Sequence, residues 1–480
     1  MIPLVYRLRK EVRFVKRRDS WIAYCQTPLN VLHIGTRAYF ILQMCDGLTS
    51  VHEIAQESGL AGESVFKLCD YFKEKAMLET APVPNRGYFP FLSVIIPTKD
   101  RAGELVCCLE SVSAQDYPKE RLEVIVVDDG SKENIGDRLR AFPCRLIINL
   151  TSRGASFARN QGAREANGEI LAFLDDDCVA GKTWLRELAG YFQWEEVGAV
   201  GGFVDGHTET SGLSRYEKAF SPLNLGSHIL CSGNSSRFYI PTCNLLVRKI
   251  VFHQTGGMNE NMHVGEDVDF CWRIQDESHY VLYIPAGTVR HRHRIELGTM
   301  LKRRYDYGIS EAQLYKLHAG RKKTIQAPLA PASSFLALCL ALFCSSLFPL
   351  IISFTGIAFE SARKMIRIHK TGLSISFFRI LFSVLRTHWF FIYSASFHFL
   401  RYYLILFILL GVFFPAFWLL AFIMILVSSS SDYGMKHPRL SFPAFAFYYV
   451  LEHLAYQIGA FIGCLKNRSF GTYIPQLICR

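Results

Sequence analysis

The sequence predicts an α/β protein in three parts. These are a small α+β module over residues 1–85, an open α/β sheet domain over 90–320, and an apolar α-helical region over 325–480. Three observations predict this. Between about 90 and 320, strand-like apolar runs alternate with helical stretches, the rhythm of a largely parallel sheet. Acidic clusters follow three of those runs. Hydrophobic residues make up 50% of the 480, and after about residue 330 they gather into two long charge-free runs.

The net charge is +11, which suits nucleic acid, anionic lipid or an anionic substrate. No nucleic-acid module is recognisable, so lipid headgroups and a nucleotide diphosphate are the expected partners. The 14 cysteines show no zinc-like spacing and several lie in apolar runs. They read as reduced, mostly buried thiols facing the cytosol. Arg7, Arg9, Lys10 and Arg13 are followed by no apolar core, so no cleavable signal peptide is expected.

In the first module, residues 12–16 and 21–24 alternate like two strands around a turn at 17–20. Three helical stretches follow. Thr36 is placed to cap the first and Gly47 to end it in a left-handed conformation. Ser50 starts the second and residues 62–64 the third. The order suggests a winged-helix-like domain. The stretch from Leu29 to Thr36, then from Ile41 through Cys45-Asp-Gly47 to Ala55, resembles the PqqD family. This resemblance implies recognition of a precursor peptide, and the edge of the hairpin offers a place for strand addition. A module that merely docks on its neighbour is the alternative. A Pro-rich linker covers 81–87.

In the sheet domain, strands are expected at 92–96, 122–127, 145–148 and 170–174, with helices carrying Leu105, Leu109 and Val112, and spanning 156–166. Ligands of open α/β sheets bind beyond the carboxyl ends of the strands. Pro97-Thr98-Lys99-Asp100, Asp128-Asp129 and Asp175-Asp176-Asp177 all fall there. Three carboxylates after a buried strand repel one another, and a hard cation such as Mg²⁺ or Mn²⁺ would neutralise them and bridge to a phosphate.

The runs from Ser93 to Arg101, Val126 to Ser131, Arg153 to Gly162 and Ala172 to Asp177 resemble glycosyltransferase family 2, with the GT-A fold. The resemblance implies a metal-dependent, inverting enzyme that uses a nucleotide-diphospho-sugar. It places Pro97, Thr98 and Asp129 by the nucleobase, Asp175 and Asp176 near the ribose and sugar, and Asp177 on the metal. Lys99-Asp100 departs from the more usual aromatic residue and Asn. Arg159 assists at the diphosphate, or else forms a surface ion pair.

The run Gly265-Glu266-Asp267 opening a helix looks like the family's acidic acceptor-side motif, with Asp267 as general base and Glu266 as the alternative. Asp269 and Arg273 stand four apart, as a structural ion pair does. Within Val289 to Arg294, His291 matches the metal-binding histidine of many relatives, and His293 competes for that place. Arg303 to Gly308 resembles the tail of the catalytic domain and carries no assigned chemistry.

Residues 333–359 and 402–431 are uncharged and long enough to cross a bilayer. The basic segment between them includes Arg363, Lys364, Arg367, Lys370, Arg379 and Arg386. Two simple spans would place it outside, against the positive-inside tendency. Pro349 and Pro415 offer a second topology, in which each run bends into a re-entrant hairpin. Residues 451–465, with Arg468-Ser469 and Ile474-Pro475, resemble the end of mycofactocin-system glycosyltransferases, which join a PqqD-like start to a family 2 domain and an apolar tail. The expected function is therefore transfer of glucose from UDP-glucose to a peptide-derived redox cofactor, on the cytoplasmic face of the cell membrane. The alternatives are a lipid or cell-surface polysaccharide acceptor, or an inactive peptide-binding membrane scaffold.

Overall fold

A computed structural model of the chain describes residues 4–26, 28–206, 209–232, 238–292 and 296–478. They form two compact units, each discontinuous in sequence. One contains residues 1–83, 323–431 and 475–480, and the other 84–322 and 432–474.

In the first unit, residues up to 83 build two three-stranded sheets. Leu4–Leu8 lies between Asp46–Ser50 and Leu78–Pro82. Ser20–Gln26 lies between Arg13–Lys16 and Leu29–Gly35. The expected hairpin is present, with Val15 opposite Ile22. The strands Leu4–Leu8, Leu29–Gly35, Asp46–Ser50 and Leu78–Pro82 go beyond the sequence reading. Their side chains alternate only weakly, and pairing rather than local propensity creates them. The three helices are Thr36–Met44, Val51–Ser58 and Gly62–Glu74. Ser50 caps the second in a full capping box with Glu53, which satisfies two end amides at once. Thr36, expected as a cap, is instead the first helical residue, with Gly35 at the cap position. Gly47 has the expected positive φ, +86°, but within a strand.

Apart from the paired strands Thr324–Gln326 and Gln476–Ile478, the rest of this unit is helical: Leu329–Phe343, Phe348–Lys370, Phe377–Gly411 and the start of Ala416–Lys436. Ile22 and Leu29 of the second sheet share a core with Ile368, Leu373, Ile375 and Ile380. Arg17 adds hydrogen bonds from Nη2 to the carbonyls of Thr371 and Gly372, at 3.3 and 2.7 Å. The parts expected separately at 1–85 and 325–480 are thus joined in part.

The second unit is organised by an eight-stranded mixed sheet. Its order is Leu230–Cys231, Tyr280–Tyr283, Val197–Gly201, Leu245–Arg248, Ile170–Phe173, Leu92–Thr98, Leu122–Asp128 and Arg145–Ile148. The last four run parallel, and Leu245–Arg248 is antiparallel to both neighbours. Every residue of Leu92–Thr98 and Ile170–Phe173 is buried, which explains their unbroken apolar runs. The helix Ala155–Glu165 lies close against this sheet because Gly162 lacks a side chain. A Cβ there would come within 2.6 Å of Ile95 Cγ2. A shorter sheet, Cys178–Ala180, Val289–His291 and Val204–Gly206, stands beside the main one.

The helix Phe442–Asn467, expected in the apolar membrane region, belongs instead to this unit. It packs along Leu297–Leu317 through small residues. A Cβ on Gly308 would overlap the Tyr456 carbonyl oxygen, and one on Gly459 the Tyr305 carbonyl oxygen. Its polar residues also face inward. Arg304 pairs with Glu217 at 2.5 Å and with Glu452 at 3.1 Å, and Tyr216 donates to Glu452 at 3.0 Å. A helix reading as membrane-like by composition therefore buries one face, its Glu452 paired, against the rest of this unit.

Candidate active site

The chain leaves Leu92–Thr98 toward one side of the sheet and returns to Ile170–Phe173 on the other. That reversal opens a crevice at the carboxyl ends of these two strands, the usual ligand position in open α/β sheets. Thr98 stands at one strand end and Asp175, Asp176 and Asp177 just beyond the other. Thr98 Oγ1 donates to Asp176 Oδ2 at 2.8 Å, which ties the two ends together. Pro97 precedes Thr98 in the buried strand.

Asp129 follows the next strand. Its carboxylate accepts from Ser152 Oγ at 2.7 Å, the Arg153 amide at 2.9 Å and the Gly154 amide at 2.8 Å. It therefore organises the loop before the Ala155–Glu165 helix. Asp128 accepts from the Ser131 amide and hydroxyl at 3.0 and 2.6 Å. Asp100, at φ +53°, accepts from the Lys132 amide at 2.8 Å. This is a turn conformation in which Asp is better tolerated than most residues.

Arg159 is buried and reaches two acids. It donates from Nη2 to Asp175 at 2.6 Å and from Nη1 to Glu266 at 3.2 Å. Burial works against ionisation of Asp175, but the charge of Arg159 overrides it and holds that carboxyl below its usual range. The surface ion pair considered for Arg159 is thus a buried bridge between the triplet and the Glu266–Asp276 helix. Asp267 makes no such pair among the described contacts, and its Oδ1 accepts from the Val268 amide at 2.8 Å. Burial, then the neighbouring Glu266, pushes Asp267 up to about 7. Asp269 is held by Arg273 at 2.7 Å and by His318 at 2.9 Å.

The sheet beside the main one brings His291 to the triplet. Cys178 and His291 are opposite each other in antiparallel register, and His291 Nε2 lies 3.4 Å from Asp177 Oδ1. Ligand atoms of Asp177, Cys178 and His291 lie within 4.8 Å of one another. Burial pushes the Cys178 thiol well above its usual value, which disfavours the thiolate a metal needs. Asp177 and His291, an oxygen and an imidazole nitrogen, fit a hard or borderline divalent cation. His293 lies outside the described residues. Buried Cys243 feels the charges of Asp175, Asp177 and Asp267 together, so these acids share one neighbourhood.

The strand-end residues of this crevice lie within a region similar to known proteins. The sequence profile of "Glycosyl transferase family 2" matches residues 93–254. Glycosyltransferase AglE of Haloferax volcanii is 31% identical over 235 residues, 48% of this chain and 75% of that protein. The chain belongs to glycosyl transferase family 2. The pre-mycofactocin glycosyltransferase of Mycobacterium tuberculosis is 29% identical over 300 residues, 61% of this chain. The chain spans 59% of that relative's length. Among solved structures, it is similar to a mannosyltransferase from Pyrobaculum calidifontis, with a TM-score of 0.39 and 17% identity over 64% of this chain and 89% of that one.

Two residues of this family 2 site escaped the sequence reading. Arg101 Nη1 donates to Asp176 Oδ1 at 3.2 Å and to Asp177 Oδ2 at 2.8 Å, so its guanidinium bridges two acids of the triplet. Asp176 is nonetheless pushed up to about 6, first by burial and then by its acidic neighbours against Arg101. Arg303, on Leu297–Leu317, bears electrostatically on Asp175 and Asp267. Its buried Nε has no hydrogen-bond partner among the described residues. Arg101 directly follows a strand-end cluster, a signal that was available. For Arg303, helical periodicity points to no site.

Proposed function

We propose that this chain is a divalent-metal-dependent, inverting glycosyltransferase that moves glucose from UDP-glucose to a peptide-derived redox cofactor of the mycofactocin kind. It works on the cytoplasmic face of the cell membrane, and the module before residue 84 recognises the peptide part of the acceptor. The observation that carries the reading is the meeting of two chemistries at one crevice. Asp177 and His291 offer a cation pair, and Asp267 is a carboxyl raised to about 7. The likeness to the pre-mycofactocin glycosyltransferase supports the acceptor class.

Asp177 and His291 would hold the cation, which when bound neutralises charge on the diphosphate leaving group. Thr98 and Asp129 shape the donor end, Asp129 through the loop it fixes. The acceptor hydroxyl donates its proton to ionised Asp267 as its oxygen attacks the sugar C1. The bond from C1 to the diphosphate oxygen breaks on the opposite face, and its electron pair leaves with the nucleoside diphosphate. A base with a pKa near the working pH is best suited to that proton transfer. Arg159 occupies Glu266 and Asp175, leaving Asp267 as the acid of this group not committed to an ion pair. Arg101 and Arg303 supply positive charge on the side where negative charge develops.

The test is donor turnover by detergent-solubilised protein with Mg²⁺ or Mn²⁺ and a panel of nucleotide sugars. Metal-dependent release of UDP from UDP-glucose, stimulated by a peptide-derived acceptor, is expected. Turnover of another donor would overturn the sugar assignment, and no turnover of any donor would favour the scaffold.

A further inference from the structure

The two charge-free runs do not fold as two long rods. Residues 324–359 contain no charged side chain, but the helix breaks after Phe343 and resumes at Phe348, with Ser345 at φ +49° in the turn. Residues 402–431 are also uncharged, and there the break falls between Gly411 and Ala416. Each run is thus a helical hairpin. Both tips present large apolar side chains to the outside: Leu347 is 73% exposed and Phe413 77%. The hairpins lie side by side, with Phe343 and Phe417 ring centroids 4.9 Å apart, and within the second Trp418 Nε1 donates across the turn to the Ile408 carbonyl at 2.9 Å.

Arm length decides what these tips can do. A hydrocarbon core of about 30 Å needs about 20 apolar helical residues. The uncharged helical arms are 329–343, 348–359, 402–411 and 416–431. At 1.5 Å per residue they extend roughly 15–24 Å. Phe377–Gly411 and Ala416–Lys436 are long enough as whole helices to cross. The first, however, carries Arg379, Arg386 and Arg401, and a charge at the bilayer centre is costly. Away from the tips, exposed Arg363, Arg367, Lys370, Arg379 and Arg386 complement anionic headgroups.

We propose that the two hairpins, 329–359 and 402–431, enter one leaflet of a bilayer tip first and return, so that no helix crosses. This deepens the membrane reading above and is independent of donor and acceptor. The full-length protein is placed in sealed vesicles of phosphatidylethanolamine and phosphatidylglycerol and treated with a charged, membrane-impermeant maleimide on either face. Peptide mapping reads the modified sites. Cys344, exposed at the first tip, needs no substitution, Phe413→Cys reports the second tip, and Lys370→Cys reports the basic end. The expected result is labelling of Lys370→Cys from one face only, with Cys344 and Phe413→Cys modified only after detergent. Labelling of either tip from the face opposite Lys370→Cys would overturn the proposal in favour of crossing helices. Labelling of both tips from the same face as Lys370→Cys would overturn insertion. Release of the protein by alkaline carbonate in that last case would also overturn the membrane reading itself.

Discussion

Asp267 concentrates the chemistry of the site into one titration. Its raised pKa makes it a base only when pH exceeds about 7, so kcat/KM should rise through a midpoint near 7. Asp267→Asn should abolish transfer, by about 10²–10⁴-fold, and leave donor affinity by calorimetry unchanged. Loss of donor affinity would refute the base assignment. The same shift has a stability sign. Between the unfolded and folded pKa values the native state holds more protons than the unfolded state. Stability therefore falls as pH rises through this window, and the full cost is present above about 7. Asp267→Asn should accordingly raise Tm more at pH 8 than at pH 4. At the cation end, Asp177→Ala should remove both transfer and Mn²⁺ binding. Arg101→Ala should strengthen Mn²⁺ binding by equilibrium titration, because Arg101 competes for Asp177 Oδ2 at 2.8 Å. Unchanged or weaker binding would show that the guanidinium does not compete.

At the scale of elements, the site is legible in sequence where long buried strands end and obscure where short strands pair. The triplet after Ile170–Phe173 and Thr98 after Leu92 were readable because a buried strand announces itself by an unbroken apolar run. The pairing of Cys178–Ala180 with Val289–His291 was not, since strands of three residues carry almost no periodic signal. Yet that register places His291 beside Asp177. The helix Phe442–Asn467 was misplaced for the converse reason. Its apolar composition is that of a membrane segment, whereas buried Glu452, His453 and Gln457 belong to a protein interior. Gly459 is the sharpest test of its packing. Gly459→Leu should force it off Leu297–Leu317 and lower Tm markedly, with an overpacking cost of about 1–3 kcal/mol or more. A change in Tm within error would mean that the crossing is looser than the contact with Tyr305 implies.

At the scale of the whole molecule, both units are sewn from distant segments. Strand Thr324–Gln326 pairs in parallel with Gln476–Ile478, and the transferase unit takes up residues 432–474 after a gap of more than a hundred residues. Truncation after residue 431 should therefore leave residues 84–322 without the partner of Leu297–Leu317, and should yield aggregated or protease-sensitive protein. A stable, protease-resistant transferase fragment from that truncation would show that the helix is dispensable.

The discontinuous transferase unit also sets an order of events during synthesis. A ribosome adds about 5–20 residues per second, so the residues between 322 and 474 take roughly ten to thirty seconds to appear. During that interval Arg304 and Glu217 await Glu452, and the groove against Gly308 is open. The apolar hairpins emerge within the same interval, before the catalytic unit can close. A nascent chain of this design exposes its apolar hairpins while the transferase unit still lacks its last helix.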